Sequence, residues 1–130
     1  IVANFSIISP LILSLSGQRL EGRAWIIKVE YANLNFTVSK SAPIDINRYV
    51  LLRKVANQPY MSIKEFSDSE LKNNTWTFND INLNRSVTYN YVVEARAANG
   101  SAIARSNELN LPSNRTVTTL GTSSKERTKR

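Results

Sequence analysis

The sequence predicts an all-β chain folded as a two-layer antiparallel sandwich, and three observations predict it. Between Val87 and Ala97, apolar or aromatic residues fall at every second position (Val87, Tyr89, Tyr91, Val93, Ala95, Ala97), and Asn99-Gly100 follows as a turn. Period-two alternation of this length marks a strand with one buried face. About seven such short segments can be traced along the chain, at turn intervals of roughly 8–12 residues, the rhythm of a β-sandwich. No segment of helical length and period interrupts them, which speaks against a parallel sheet with crossover helices.

The elements follow in order. Pro10 to Leu15 reads as a first strand, with Leu11, Leu13 and Leu15 on one face, and Gly17 closes it. A Pro at the strand start suits an edge position. Residues 18–30 show no clean period: Arg19, Glu21, Arg23, Lys28 and Glu30 surround Trp25-Ile26-Ile27, as in an elaborated loop or a strand extension. Ala32, Leu34, Phe36 and Val38 make a second strand, with Asn33, Asn35 and Thr37 on its other face. Residues 46–54 form a third, with Tyr49 and Leu51 toward the core and Val50 and Leu52 away from it. Asn57-Gln58-Pro59 is a turn. Tyr60 to Phe66 is a short edge strand, and residues 67–74 are polar loop with capping-box spacing between Ser67 and Glu70. Trp76 and Phe78 mark a short strand, Val87 to Ala97 the long one, and Ala102 to Leu111 the last, closed by Pro112.

At 130 residues with 42% hydrophobic content, the chain is long enough for one domain with a real core. The reading divides it into an N-terminal linker or extra strand (1–9), the domain itself (10–112) and a flexible basic linker (113–130). There is no Cys and no His. Disulfides, thiolate nucleophiles, Cys-based zinc sites and Ser-His triads are therefore excluded. Any catalysis would rest on carboxylates, Lys, Tyr or an added cofactor, and no cofactor is expected. Net charge is +7, of which Lys125, Arg127, Lys129 and Arg130, less Glu126, supply three; residues 1–124 carry +4. No aromatic is interleaved with the tail charges, so specific nucleic-acid binding is not indicated. Ile7 to Leu15 is too short to span a membrane and lacks the basic flank of a signal peptide. Beginning at Ile1 without Met, the chain reads as a piece of a longer polypeptide.

Nothing in the sequence forms a recognisable acid–base pair. Glu65, Asp68 and Glu70 cluster in a polar loop, but without the oxygen-rich spacing of a calcium loop. The scattered glycines form no phosphate loop. Arg48, Arg53, Lys54, Arg96 and Arg105 lie on or beside strands, where pairing with Glu94 or Glu108 across strands explains them. Asn-x-Ser/Thr sequons stand at Asn4, Asn35, Asn73, Asn84, Asn99 and Asn114, and each is a glycosylation site only in a secreted eukaryotic context.

These residues together resemble a fibronectin type III domain, over about residues 10–112. The resemblance rests on the Pro-led first strand, on Phe36 and Tyr49 at the spacing of the family's core aromatics, and on Leu83 six residues before Tyr89. The alternation up to Asn99-Gly100 and the Ser106-Asn107-Glu108 ending add to it. It implies an immunoglobulin-like seven-stranded antiparallel sandwich with Phe36, Tyr49, Leu83 and Tyr89 in its core. It also implies a corner in which the Tyr89 hydroxyl ties back to nearby backbone. Three departures stand out: Phe36 replaces the usual core Trp, Arg85 stands where a corner Pro is common, and the connection from Gly17 to Glu30 is long. That connection, with Asp80 after Phe78-Asn79, resembles bacterial extracellular members of the family.

The resemblance implies a non-catalytic spacer or interaction module of a larger secreted or cell-surface protein, not an enzyme. Its partners would be neighbouring domains of the same polypeptide and a protein or carbohydrate ligand. It would be monomeric and would not insert into membranes. The alternatives are an accessory domain of a secreted polysaccharide-active enzyme and an adhesin or receptor ectodomain with a specific protein ligand. Trp25, in the unusual first connection, is the one candidate ligand contact; catalytic and metal residues are expected to be none.

Overall fold

The computed structural model describes residues 10–24 and 27–113. Trp25 and the two flanking segments, 1–9 and most of 113–130, lie outside the described residues. Eight strands are described: β1 (Leu11–Ala24), β2 (Ile27–Lys40), β3 (Arg48–Val55), β4 (Met61–Phe66), β5 (Thr75–Ile81), β6 (Tyr89–Arg96), β7 (Ala102–Arg105) and β8 (Leu109–Leu111). One short 3-10 turn lies at Asp68–Glu70. The strands form two antiparallel sheets, β1-β2-β5 and β4-β3-β6, with β7 and β8 pairing in succession along the free edge of β6.

The core lies between the sheets. Leu13, Leu15, Leu34, Phe36 and Val38 of the first sheet face Tyr49, Leu51, Tyr91, Val93 and Ala95 of the second. Phe36 meets Tyr49 edge-on with ring centroids 5.3 Å apart, and Phe66 stacks on Tyr49 at 5.1 Å. Phe66 also stacks on Trp76 at 3.6 Å, closing the side of the sandwich between β4 and β5. Leu83 and Tyr89 belong to the same buried cluster.

Two sequence expectations need correction, that Gly17 closes the first strand and that the last strand is continuous; of the two readings of residues 18–30, strand extension is the one found. Residues 18–24 and 27–30 are strand: β1 and β2 pair without a register shift from Leu11↔Lys40 to Ala24↔Ile27. Alternation continues there, but its polarity inverts. Inward positions that hold Leu11, Leu13 and Leu15 are followed by Gly17, Arg19, Glu21 and Arg23. A Cβ on Gly17 would sit 2.5 Å from the Asn33 carbonyl oxygen, so the chain passes its neighbour at a distance only glycine allows.

The second correction is the last strand, which is two segments, β7 and β8. Ala102 to Leu111 is not continuous; it breaks at Ser106–Glu108. The Ser106 N–H donates to the Val93 carbonyl at 2.8 Å, and the Val93 N–H donates to Ser106 Oγ at 2.9 Å. Asn107 then turns its side chain to the other sheet. Its Oδ1 accepts from the Leu15 N–H and its Nδ2 donates to the Leu15 carbonyl, both at 2.8 Å. An amide side chain thus pairs with a backbone residue as a neighbouring strand would.

Candidate functional site

At the β1–β2 end, buried polar groups bind the elements together. The Arg19 guanidinium bonds Glu30 on β2, the Leu111 and Pro112 carbonyls at 3.1 and 2.9 Å, and the Asn84 carbonyl at 2.7 Å. Both side chains of this ion pair are about 95% buried, at 5% and 6% exposure. Glu30 Oε1 is buried without a hydrogen-bond partner among the described residues, so Arg19 is what neutralises that carboxylate. The guanidinium carbon also lies 5.2 Å from the centre of the Tyr89 ring. The Tyr89 hydroxyl accepts from the Asn84 N–H at 2.9 Å, and the Leu83 N–H donates to the Glu30 carbonyl.

A second polar bridge joins the sheets. Asp80 on β5 accepts from Arg53 at 2.9 and 3.1 Å and from the Tyr91 hydroxyl at 2.7 Å. Burial and this hydrogen bond push the Tyr91 phenol well above its usual range. Arg53, grouped with the strand charges in the sequence, points inward because it shares the parity of Tyr49 and Leu51.

Of the three carboxylates expected in one polar loop, Glu65 lies on β4 and only Asp68 and Glu70 in the loop, and each is engaged separately. Asp68 accepts from Lys40 at 2.6 Å and from the Tyr49 hydroxyl at 2.7 Å, linking the two sheets. Burial alone would raise the Asp68 pKa, but the bonds from Lys40 and Tyr49 and the Lys40 charge outweigh it and hold the carboxyl below its usual value. Glu70 accepts from the Ser67 N–H, and Glu65 lies 3.6 Å from Arg48. Among the described residues no group of three carboxylates converges as a metal ligand set would.

The two outward faces differ sharply. On the β4-β3-β6 sheet, Val50, Leu52 and Val92 are buried beneath Tyr60 instead of open to solvent. Ion pairs surround them: Arg96–Glu94 at 2.7 Å, Arg105–Glu94 at 3.8 Å and Lys54–Glu108 at 3.9 Å. Tyr60 donates to Glu108; burial first, and then this bond, push its phenol up to about 12. A shallow cleft of about 350 Å³ lies between Tyr60, Val92, Arg105, Ser106 and Glu108. Its charged groups already have partners, Arg105 with Glu94, and Glu108 with Tyr60, Asn90 and Lys54.

On the outward face of β1-β2-β5 the described strand residues carry no charge; Lys72, paired with Thr75, and Glu70 border it at the β5 edge. The register aligns its side chains in rows across the three strands. Ser14, Thr37 and Thr75 form one row. Ser16, Asn35 and Thr77 form the next. Gln18, Asn33 and Asn79 form the third, in which Asn33 donates to Asn79 at 2.8 Å. Beyond them the row Leu20, Tyr31 and Ile81 is apolar, with Ile81 58% exposed. Every charged residue of these strands (Arg19, Glu21, Arg23, Lys28, Glu30, Lys40 and Asp80) falls at the opposite parity. The sequence showed Asn33, Asn35 and Thr37 sharing a face; that β1 and β5 extend the same chemistry on either side depends on a register no single segment encodes. Trp25, the sequence candidate, lies outside the described residues.

Compared with known proteins, the chain matches no protein-family model, no curated protein and no solved structure. No helix among the described residues is long and apolar enough to cross a membrane.

Proposed function

We propose that the chain is a non-catalytic spacer and interaction module of the fibronectin type III kind, working within a larger secreted or cell-surface protein. The observation that carries this reading is where the domain is entered and left. β1 starts at Leu11, while the last strand ends at Leu111, whose carbonyl is held by Arg19. Eight residues of extended chain separate Leu11 from Arg19, roughly 26 Å. Because Asn107 meets Leu15 and Leu111 meets Arg19, β8 runs parallel to β1. Entry and exit therefore lie apart, as they must in a module that holds its neighbours at a distance.

Strand order supports the family reading. With β7 and β8 counted as halves of one strand, seven strands divide three against four. The Leu83–Tyr89 corner, with the Tyr89 hydroxyl on the Asn84 N–H, supports it as well. The non-catalytic reading is favoured by the carboxylates: Glu30, Asp68, Asp80, Glu94 and Glu108 each serve an ion pair or a tyrosine bond that joins separate segments of the fold, Glu94 through Arg105 on β7.

The sequence has no Cys, so Pro10→Cys and Ser113→Cys give two unique spin-label positions. A mean separation of roughly 25–30 Å is expected from the run of β1. A separation below about 15 Å would place entry and exit side by side and refute the spacer geometry.

A further inference from the structure

We propose that the outward face of the β1-β2-β5 sheet is a binding surface for a neutral, hydroxyl-rich polymer, a polysaccharide chain lying along the strands. This deepens the module reading by giving it a ligand class, and it can fail while that reading stands.

Charge is the first argument. The chain carries net +7, with 21% charged residues, yet β1, β2 and β5 place none of theirs on this face, and Lys72 and Glu70 stand only at its β5 edge. The strands are not short of charge; they place all of it at the other parity. A face chosen only for solubility would take Lys and Glu, as the opposite sheet does. Rows of uncharged side chains give little electrostatic attraction to an anionic partner and impose no desolvation of ions on a neutral one lying along them.

Chemistry is the second. Amides and hydroxyls both donate and accept, which is the capacity a sugar hydroxyl also has. Among the described residues, the side chains of Ser14, Ser16, Gln18, Thr37 and Thr77 hold no hydrogen bond to another protein group. In the sheet they repeat at roughly 4.8 Å across strands and about 6.7 Å along them, a regular lattice of hydrogen-bonding sites. A protein partner fits this less well, because interface centres are apolar or aromatic and poor in Ser. The three polar rows offer no apolar anchor in their middle.

The apolar row at one end is the third argument. Tyr31 stands between Leu20 and Ile81 in register, next to the row of Asn33. A tyrosine ring offers an apolar surface with a polar tip, suited to the C–H face of a sugar whose hydroxyls reach the neighbouring amides. The polar rows and this platform run from Ser14 to Leu20 on β1, roughly 20 Å, room for several sugar units.

The test uses the full chain made in a host that does not glycosylate, since Asn35 and Thr37 belong to a sequon on this face. It is mixed with insoluble cellulose, chitin and granular starch, and the retained fraction is measured at low salt and at about 1 M NaCl, where screening reaches about 3 Å. Asn35→Lys and Thr77→Lys place a charge in the array; Ser62→Lys adds the same charge on the other sheet. The expected result is saturable retention on at least one polymer, unchanged by salt, reduced roughly tenfold or more by Asn35→Lys and by Thr77→Lys, and unaffected by Ser62→Lys. Melting curves confirm that each variant is folded. Failure to bind all three polymers overturns the proposal, as does retention that salt abolishes or that Ser62→Lys weakens equally. Concentration-dependent dimers that both array variants disrupt, without polymer retention, would assign the face to a second copy of this chain instead. The spin-label distance is independent of all these outcomes.

Discussion

Arg19 shows most clearly how one side chain sets the energetics of this domain. It neutralises buried Glu30, caps the carbonyls of Leu111, Pro112 and Asn84, and lies against the Tyr89 ring. Arg19→Ala would leave a carboxylate buried and unpaired, a loss of about 3–5 kcal/mol. Replacing both partners with apolar residues, Arg19→Met with Glu30→Leu, should recover much of that loss, because the desolvation of two ions is then avoided. Chemical denaturation of the single and double variants checks this; a neutral Arg19→Ala would mean the pair contributes nothing. Tyr89 was legible in the sequence, since Leu83 and the alternation around it name the corner. Arg19 was not, because a charged residue at an inward parity looks like a break in the pattern until its partners on three other elements are known.

Among the elements, those whose alternation keeps one polarity were the ones that could be read. β2 from Ala32 to Val38 and β6 from Tyr89 to Ala95 bury every second residue; both lie where strands were expected, though β6 starts at Tyr89 instead of Val87 and ends at Arg96 instead of Ala97. The far half of the β1–β2 pair could not be told from an elaborated loop because its inward side faces the corner, where Arg85 lies 3.6 Å from Glu21, instead of the apolar core. The last strand was read as continuous because Ser106 and Asn107 keep the alternation in sequence while their side chains take over backbone pairing. Asn107→Ala removes both bonds to Leu15 and should destabilise by about 1–3 kcal/mol. Asn107→Asp keeps the acceptor for the Leu15 N–H and turns the donor into a repelled oxygen, so it should cost at least as much. If Asn107→Ala left the denaturation midpoint unchanged, the link between the two sheets at this edge would be energetically empty.

The whole molecule should respond to pH at both extremes. Asp68 titrates below its unfolded value of 3.8 because Lys40 and Tyr49 favour its charged form despite burial. Its contribution is therefore complete above about pH 4 and disappears as pH falls through the lower folded-state value. Asp68→Asn should flatten that part of the acid limb. Tyr49 and Tyr91 titrate above their ordinary 10.0, chiefly through burial and then through Asp68 and Asp80. Their stabilisation is intact below pH 10 and is lost as pH rises beyond it, so alkaline unfolding and tyrosinate absorbance should appear together. Tyrosinate signal from both residues in a protein still folded would contradict the buried bridges.

A single sandwich loaded from separated ends gives way as one unit when the chain is extended mechanically between handles at its two termini. Pulling from Leu11 and Leu111 loads β1 and the parallel β8 in shear across the Asn107 and Arg19 contacts. The prediction is one cooperative step, releasing roughly 300 Å as about a hundred residues extend. Gradual lengthening without a step, or two separate steps, would show that the two sheets do not hold together as one load-bearing unit.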